Sequence, residues 1–524
     1  MGIRKKAPEG LDPKALLDML PDAPAGEVLH YACRLVTPMY GGGVEAGIVD
    51  AGMPIRATAI RGQLRFWWRL LNRRDAQAQA RPSEELFKLE RAIWGGLGDG
   101  KSLAASKVLV RVKSQPKVTE KTLLDAAIYE SKDGRLKSFP DFGSLPAYVL
   151  FPAQGKVEQG ALKTAPAKLL DAGARWNLAM GLDPKLREDQ RAQVREALAW
   201  WATFGGVGAR TRRGCGAVEV KDANGARVCI YHAEIERHGF SLHLRKASAG
   251  AVDAWREAVA QMKEFRQGKG IGRHPGNEPN RPGRSFWPEP DAIRRITGSH
   301  ASKHAPEHLA GDCFPRAAFG LPIIFHFKDP EEPTDTTLKP RPDDGKASSE
   351  RMASPIILRP YPAIDGGWHP AALCLDRSHV QHMGLSLEGK ARNLPKTLSN
   401  TQWPAGSKAM NIRPMAARGD DVLAAFLAYF TEGQGVGVDV AQAAAAPPPP
   451  EEEYFRAQIN IRGNGSVIAK NTKTNKESVA SGADAKTLAT ALSAAARKAI
   501  DNGRFIATAV LLDGKLIRIE EIIK

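Results

Sequence analysis

Cysteine is scarce in this chain, with five in 524 residues. Cys33, Cys215, Cys229, Cys313 and Cys374 are scattered and form no Cys-x-x-Cys pair. That excludes a disulfide framework and fits thiols kept reduced in a cytosol. No apolar run is long enough to span a bilayer. The basic start, Met1-Gly2-Ile3-Arg4-Lys5-Lys6, lacks the apolar stretch of a signal peptide, and Lys6 breaks the myristoylation pattern. A cytoplasmic protein without a membrane partner is therefore expected. No Asp/Glu cluster suggests a metal-dependent nuclease, no Gly-x-Ser-x-Gly elbow is present, and no fixed-period repeat occurs. Acid is in deficit: 58 Asp and Glu stand against 75 Lys and Arg, for a net charge of +17. A balance this basic favours a polyanionic partner.

What is present is arginine set beside tryptophan. Residues 54–69 predict one helix with Thr58 as its N-cap. Ile60, Leu64, Trp67 and Leu71 fall at i, i+4, i+7 and i+11, forming an apolar stripe. Arg61, Arg65, Arg69 and Arg73 form a second stripe that turns slowly away from the first, and Arg56 stands just before it. Guanidinium groups suit phosphates, which they grip with paired donors in a fixed fork. Trp68 sits near the seam of the two stripes, where a ring packs inward or stacks on a base. A solvated basic face accounts for the same pattern. No acidic residue within the run offers i,i+4 pairing.

A glycine-rich loop, Gly205-Gly206-Val207-Gly208-Ala209-Arg210-Thr211-Arg212-Arg213-Gly214-Cys215-Gly216, is the second signal. Gly206, Gly208 and Gly214 would let the backbone approach a phosphate closely, and Arg210, Arg212 and Arg213 add charge. Phosphate contact is expected here. Gly95 to Ser102 fits the Walker A pattern letter for letter. A P-loop needs a strand before it and a helix after it. Here a helical stretch (86–94) precedes and a strand (107–112) follows, so nucleotide binding through Lys101 is not expected. His300, His304 and His308 recur every four residues before Cys313, with Pro306 between them. The spacing leaves open a polar loop, a metal site, and general acid–base cleavage of RNA by its own 2′-hydroxyl. The polar loop is the favoured reading, with no metal and no cofactor. The loop 274–284 and its edges carry Arg273, Arg281 and Arg284 beside Phe286 and Trp287. This interleaving suits single-stranded RNA, and equally a Pro-rich surface loop anchored by its aromatics.

Length and composition predict several domains: an extension (1–26), a first unit (27–238), a second (239–442), an Ala/Pro linker (443–450) and a small α+β module (451–524). Strands are expected at 30–36, 107–112, 148–151, 217–220, 240–244, 318–327, 355–358, 454–461, 505–512 and 516–522. Helices are expected at 84–94, 189–203, 252–265 and 486–500. The stretch 329–350, charged and Pro-rich, reads as a mobile insertion. Short strands mixed with helices give an α+β class.

Taken together, Thr37-Pro38-Met39-Tyr40-Gly41-Gly42-Gly43 and the segment from Pro54-Ile55-Arg56 to Trp67-Trp68-Arg69 resemble a known family. So do the glycine-rich loop, Gly283-Arg284-Ser285-Phe286-Trp287-Pro288, Pro315-Arg316-Ala317-Ala318-Phe319-Gly320-Leu321-Pro322 and Arg351-Met352-Ala353-Ser354-Pro355. The family is the RAMP-superfamily subunit that caps the crRNA 3′ side of Cmr-type (type III-B) CRISPR effector complexes; type III-C complexes use a similar subunit. The resemblance runs from about residue 30 to about residue 375. It implies two tandem ferredoxin-like (RRM-like) RAMP domains. It implies crRNA, target RNA and other RAMP subunits as partners in antiviral defence. It also implies that this chain binds without cutting. RNA contact is then expected from Arg56, Arg61, Arg65, Trp68, Arg69, Gly206, Gly208, Arg210, Arg212, Arg213, Gly214, Arg281 and Arg284. The alternative is a metal-independent endoribonuclease of the same superfamily.

Overall fold

A computed structural model describes residues 26–521 apart from 75–78, 98–102, 126–127, 133–134, 139–144, 147, 159–160, 277–282, 328, 342–349, 364–365, 378–379, 381–382, 391–393, 395–397, 399–406, 434–452, 473, 493, 502–504 and 513–514. The chain divides into two compact units, Met1–Ala443 and Ala444–Lys524. Mixed helices and antiparallel sheets place it in the α+β class. No helix among the described residues is long and apolar enough to cross a membrane.

The first unit begins with β1 (Glu27–Leu35) and a two-residue strand, β2 (Met39–Tyr40). Then follow α1 (Ala57–Asn72), α2 (Ser83–Trp94), β3 (Val108–Ser114), β4 (Arg175–Leu182), α3 (Glu188–Phe204) and β5 (Val218–Lys221). The main sheet runs β5-β1-β4-β3, antiparallel throughout. Alternation decides its faces. Cys33 and Leu35, Trp176, Leu178, Met180 and Leu182, Val108 and Val110, and Val218 and Val220 share one buried core with α1 and α3. Ile60, Leu64, Trp67 and Leu71 of α1 are buried in that core, as their spacing requires. Trp67 stacks on Trp200 of α3 at 5.6 Å between ring centroids. The helix starts two residues earlier than Thr58 allows as a cap: Arg56 is the N-cap, with no side-chain capping bond.

The same unit continues with β6 (Ser241–Leu244), α4 (Ala251–Gln267), α5 (Glu289–Thr297), β7 (Ile356–Pro362), β8 (Trp368–Cys374) and α6 (Val422–Thr431). Its sheet runs β6-β8-β7, antiparallel. Two expected strands and the expected insertion differ. Residues 148–151 form a turn that leads into a 3-10 helix, Phe151–Ala153. Residues 318–327 hold only the short strand Ile323–Phe325, after a 3-10 turn at Pro315–Phe319. Part of the supposed mobile insertion, Thr336–Arg341, is the middle strand of a three-stranded sheet with Ile323–Phe325 and Gly384–Gly389. Its alternate side chains Thr336 and Leu338 are buried, so burial overrode a Pro-rich composition.

In the Walker-like segment, Gly96 and Leu97 pair antiparallel with Ala104 and Leu103. Gly95 caps α2 at φ +69, where an added Cβ would come within 2.5 Å of the Ala104 carbonyl. Lys101 lies outside the described residues.

The second unit holds β9 (Glu453–Ile461), β10 (Val467–Asn471), β11 (Glu477–Ala480), α7 (Gly482–Ala491), α8 (Ala494–Asp501), β12 (Ile506–Leu512) and β13 (Lys515–Glu521). Its antiparallel sheet runs β11-β10-β9-β12-β13. One expected helix, 486–500, is two helices here. The linker residues 443–450 lie outside the described residues.

Candidate nucleic-acid interface

The glycine-rich loop joins α3 to β5 and packs against the strand that follows β1. Thr37 Oγ1 donates to the Gly214 carbonyl at 2.6 Å and accepts from the Ala217 amide at 2.9 Å. The Gly216 amide donates to Pro38 at 2.8 Å, and the Ala209 amide to Tyr40 at 2.7 Å. Hence the Thr37-Pro38-Met39-Tyr40 segment and the loop form one seam. The glycines serve it: a Cβ on Gly208 would meet Met39 Cγ and the Tyr40 carbonyl at 2.6 Å, and one on Gly206 the Gly216 carbonyl at 2.6 Å. On Gly214 it would lie 2.4 Å from Trp255 Cδ1. Packing of the protein against itself is therefore a sufficient reason for glycine at these three positions.

The three loop arginines diverge. Arg210 takes a left-handed conformation (φ 59) that lifts it into solvent, and its side chain has no hydrogen bond or ion pair among the described residues. Arg212 donates to the Ser354 carbonyl and lies over the Phe66 ring of α1, 5.2 Å from its centroid. Arg213 donates to Ile356 at 3.1 Å and Phe319 at 3.0 Å, and burial pushes its guanidinium down to about 10. Arg213 is thus a tie to the second half of the unit. Gln63, Phe66 and Trp67 of α1 and Gly205, Thr211 and Arg212 of the loop line one cavity of about 100 Å³. The Arg/Trp helix and the Gly/Arg loop, far apart in sequence, meet there.

The arginine stripe of α1 has acidic partners after all, supplied from outside the run. Glu90 of α2, 1% exposed, accepts from Arg65 Nε at 2.7 Å and Arg69 Nε at 2.6 Å. Arg61 donates to the Trp94 carbonyl, and Arg73 and Arg74 reach Asp376 at 2.8 and 3.2 Å. Trp68 is buried, and its Nε1 donates to Gln193 at 3.0 Å, so no base stacks on it. Arg56 differs: its Nε is buried and finds no hydrogen-bond partner. Buried donors are normally satisfied, so this one is an exception among the arginines of the helix.

Arg284 belongs to another site, pairing with Asp291 at 3.0 Å and Glu307 at 2.9 Å. Trp287 is buried and donates to the Arg266 carbonyl at 2.9 Å, while Phe286 lies under Arg413. The aromatics of this loop therefore anchor it. Arg281 lies outside the described residues. The three histidines do not converge. His304 Nδ1 lies 2.6 Å from Glu332, His308 Nε2 3.1 Å from the Phe286 carbonyl, and His300 Nδ1 3.2 Å from the Ala301 carbonyl. No group of three or more metal-ligating side chains is found among the described residues.

Sequence reasoning missed two features. Arg359 of β7, 1% exposed, has no acidic partner among the described residues. It donates to the carbonyls of Gly205 (2.8 Å), Val218 (3.2 Å), Ala202 (3.3 Å) and Pro360 (3.1 Å), and burial pushes its guanidinium down to about 9. Carbonyls at the end of α3 give the cation its compensation. The second is a set of cations on the face of the main sheet turned away from the helices: Arg34, Arg175 and Lys221. Alternation with the buried Cys33, Leu35, Trp176 and Val220 was the available signal.

Residues 32–219 match the family model of the RAMP superfamily. No curated protein is matched by the sequence. Among solved structures, Cmr1 from Pyrococcus furiosus (apo form) is similar at 14% identity and TM-score 0.32, covering 74% of this chain and 96% of that one. A chain of the type III-B Cmr-beta complex bound to cognate target RNA and AMPPnP is similar at 10% identity and TM-score 0.36, covering 77% and 99%. A chain of a type IV-B CRISPR complex gives 18% identity and TM-score 0.23, over 39% and 94%. Superpositions this loose carry no further argument.

Proposed function

We infer that this chain, whose residues 32–219 match the RAMP-superfamily model, is a non-catalytic RNA-binding subunit of a type III CRISPR effector complex of the Cmr type. In this reading it caps the crRNA 3′ side and contacts crRNA and target RNA beside other RAMP subunits, in antiviral defence. The strand order supports it. In the main sheet, the fourth strand lies beside the first, then the third, then the second, with helices after the first and third. A ferredoxin-like domain would have this order, which supports the reading. β6, α4, β7, β8 and α6 repeat its first three strands and both helices, in the order first-third-second. The net charge of +17 suits a polyanion.

The observation that carries the reading is the meeting of the Arg/Trp helix and the Gly/Arg loop in one crevice, with Arg210 and Arg56 left uncommitted. A guanidinium without an internal acid, on a basic chain, is placed to hold a phosphate in no particular sequence. The test uses the full chain carrying Arg56→Glu and Arg210→Glu in a filter-binding titration with single-stranded RNAs of several sequences. Affinity is expected to fall for every sequence alike, with a salt dependence shallower by about 0.7 in log–log slope per lost contact. Unchanged affinity at low and high salt refutes the reading. In EDTA the labelled RNA is expected to stay whole; specific products would replace the reading by a metal-independent endoribonuclease built on His300, His304 or His308.

A further inference from the structure

The outward face of the main sheet carries a charge arrangement that the cradle at the loop does not explain. Arg34 of β1 stands directly across from Arg175 of β4 on one side and from Glu219 of β5 on the other. Lys221 of β5 stands across from Ala32. Like charges directly opposite one another in a sheet repel.

Glu219 is the acid among them, and it is fully used. Its Oε2 takes Arg34 Nη2 at 3.0 Å, and its Oε1 takes Arg227 Nη2 at 2.7 Å and Nε at 3.1 Å. Arg227 is further held over the Trp368 ring at 5.2 Å. What remains is cationic. Arg175 and Lys221 are exposed and have no side-chain partner among the described residues. Arg34 Nε is buried and has no hydrogen-bond partner. These groups surround an open cavity of about 270 Å³, whose lining includes Ala32, Cys33, Arg34, Arg175, Glu219 and Lys221. One anion placed here would offset the repulsive cross-strand pair and accept from the orphaned buried donor.

We propose that this cavity is a phosphate site that takes one phosphodiester of the RNA held at the glycine-rich loop. The proposal rests on the RNA-binding reading above. Position favours a strand of RNA over a free anion. Arg34 and Arg175 lie at the end of the sheet where β1 leads into Thr37, whose hydroxyl holds Gly214 of the loop. A chain of phosphates leaving Arg210 can therefore pass over that end onto the outward face, and an open site admits it. The guanidiniums supply forked donors and Lys221 a point charge, so the contact is blind to sequence.

The experiment compares three variants of the full chain by fluorescence anisotropy with labelled single-stranded RNA over a salt series. Arg175→Glu with Lys221→Glu is expected to lower affinity roughly ten- to a hundredfold at low salt. The salt slope is expected to become shallower by about 0.7 per contact, with thermal melting unchanged. Glu219→Gln keeps the shape and removes the acid, and is expected to raise affinity severalfold, a change that mere destabilisation does not produce. Arg210→Glu reports on the loop. Loss of binding in Arg210→Glu but not in the Arg175/Lys221 variant overturns the cavity and spares the RNA-binding reading. No loss in either overturns both. Inorganic phosphate is titrated in parallel: saturation seen for wild type and lost in the Arg175/Lys221 variant, without any effect of that variant on RNA, marks a free-anion site and overturns the proposal.

Discussion

Gly214 and Gly225 separate two reasons for a glycine. Both have φ near +80, where a side chain is strained by about 1 kcal/mol. Around Gly225 an added Cβ meets nothing within 4 Å, whereas at Gly214 it strikes Trp255 Cδ1 at 2.4 Å and the Leu358 carbonyl at 2.8 Å. The Trp255 ring cannot swing aside freely, because its Nε1 donates to the Arg213 carbonyl at 2.6 Å. Gly225→Ala is therefore expected to cost about 1 kcal/mol and Gly214→Ala about 3 kcal/mol or more, read from urea midpoints at constant slope. Equal losses would show that φ alone matters and that the loop does not lock the two halves. The glycine-rich run of the sequence signals a close backbone approach around Gly214. It does not show what is approached, because Trp255 lies 41 residues downstream of Gly214 and the contact exists only in the fold. Trp68 is a similar case. At the seam of two stripes its spacing allows both faces, and Gln193 on α3 decides the matter.

At the scale of elements, α1 was legible where physics is local and opaque where it is tertiary. Its apolar stripe sits in the core because a 3.6-residue period leaves little freedom. Its arginines read as free because the carboxylate that binds Arg65 and Arg69 stands on the next helix, at Glu90. The strand Thr336–Arg341 was hidden by the reverse effect, a local composition of prolines and charges overruled by pairing on both edges.

Helix α5 offers a test at this scale. Asp291, near its start, is partly desolvated, which by itself raises its proton affinity. The amide of Glu307 at 3.0 Å and the guanidiniums of Arg284 and Arg294 outweigh that and hold the carboxyl below the usual range. Because the folded value is depressed, the folded state binds fewer protons than the unfolded one at acid pH. The resulting stability is complete above the ordinary carboxylate value of about 4 and drains away as pH falls beneath it. Asp291→Asn is expected to lower stability at neutral pH and to flatten the decline below about pH 4. A decline as steep as wild type's would assign the acid sensitivity to other carboxylates, such as Glu332, which Arg294 and His304 hold low in the same way.

For the molecule as a whole, the two units have separate cores and should melt separately. The core of the second unit gathers Ala457, Ala469, Ala480, Ala485, Ala496, Ala507 and Ala509 with Ile459, Val467, Leu488, Leu492, Ile500 and Leu516. Alanine buries little apolar area, and a domain of roughly 70 residues buries only about 60% of its unfolded surface, so its stability is marginal. The first unit instead buries Trp67, Trp68, Trp94, Trp176, Trp200, Trp201, Trp255 and Trp287 within cores that join its sheets and helices. Burial on that scale, with Arg359 and Arg213 tying its halves together, makes it the more stable unit. Calorimetry of the full chain is therefore expected to show two transitions. The lower one should absorb about 50 kcal/mol, as about 0.7 kcal/mol per residue gives for a unit of that size. A chain ended after Ala443 should lose that transition and keep the upper one at the same temperature. A single transition in the full chain, or an upper transition displaced by the truncation, would mean that the units fold as one cooperative body, and that variants in one cannot be read without the other.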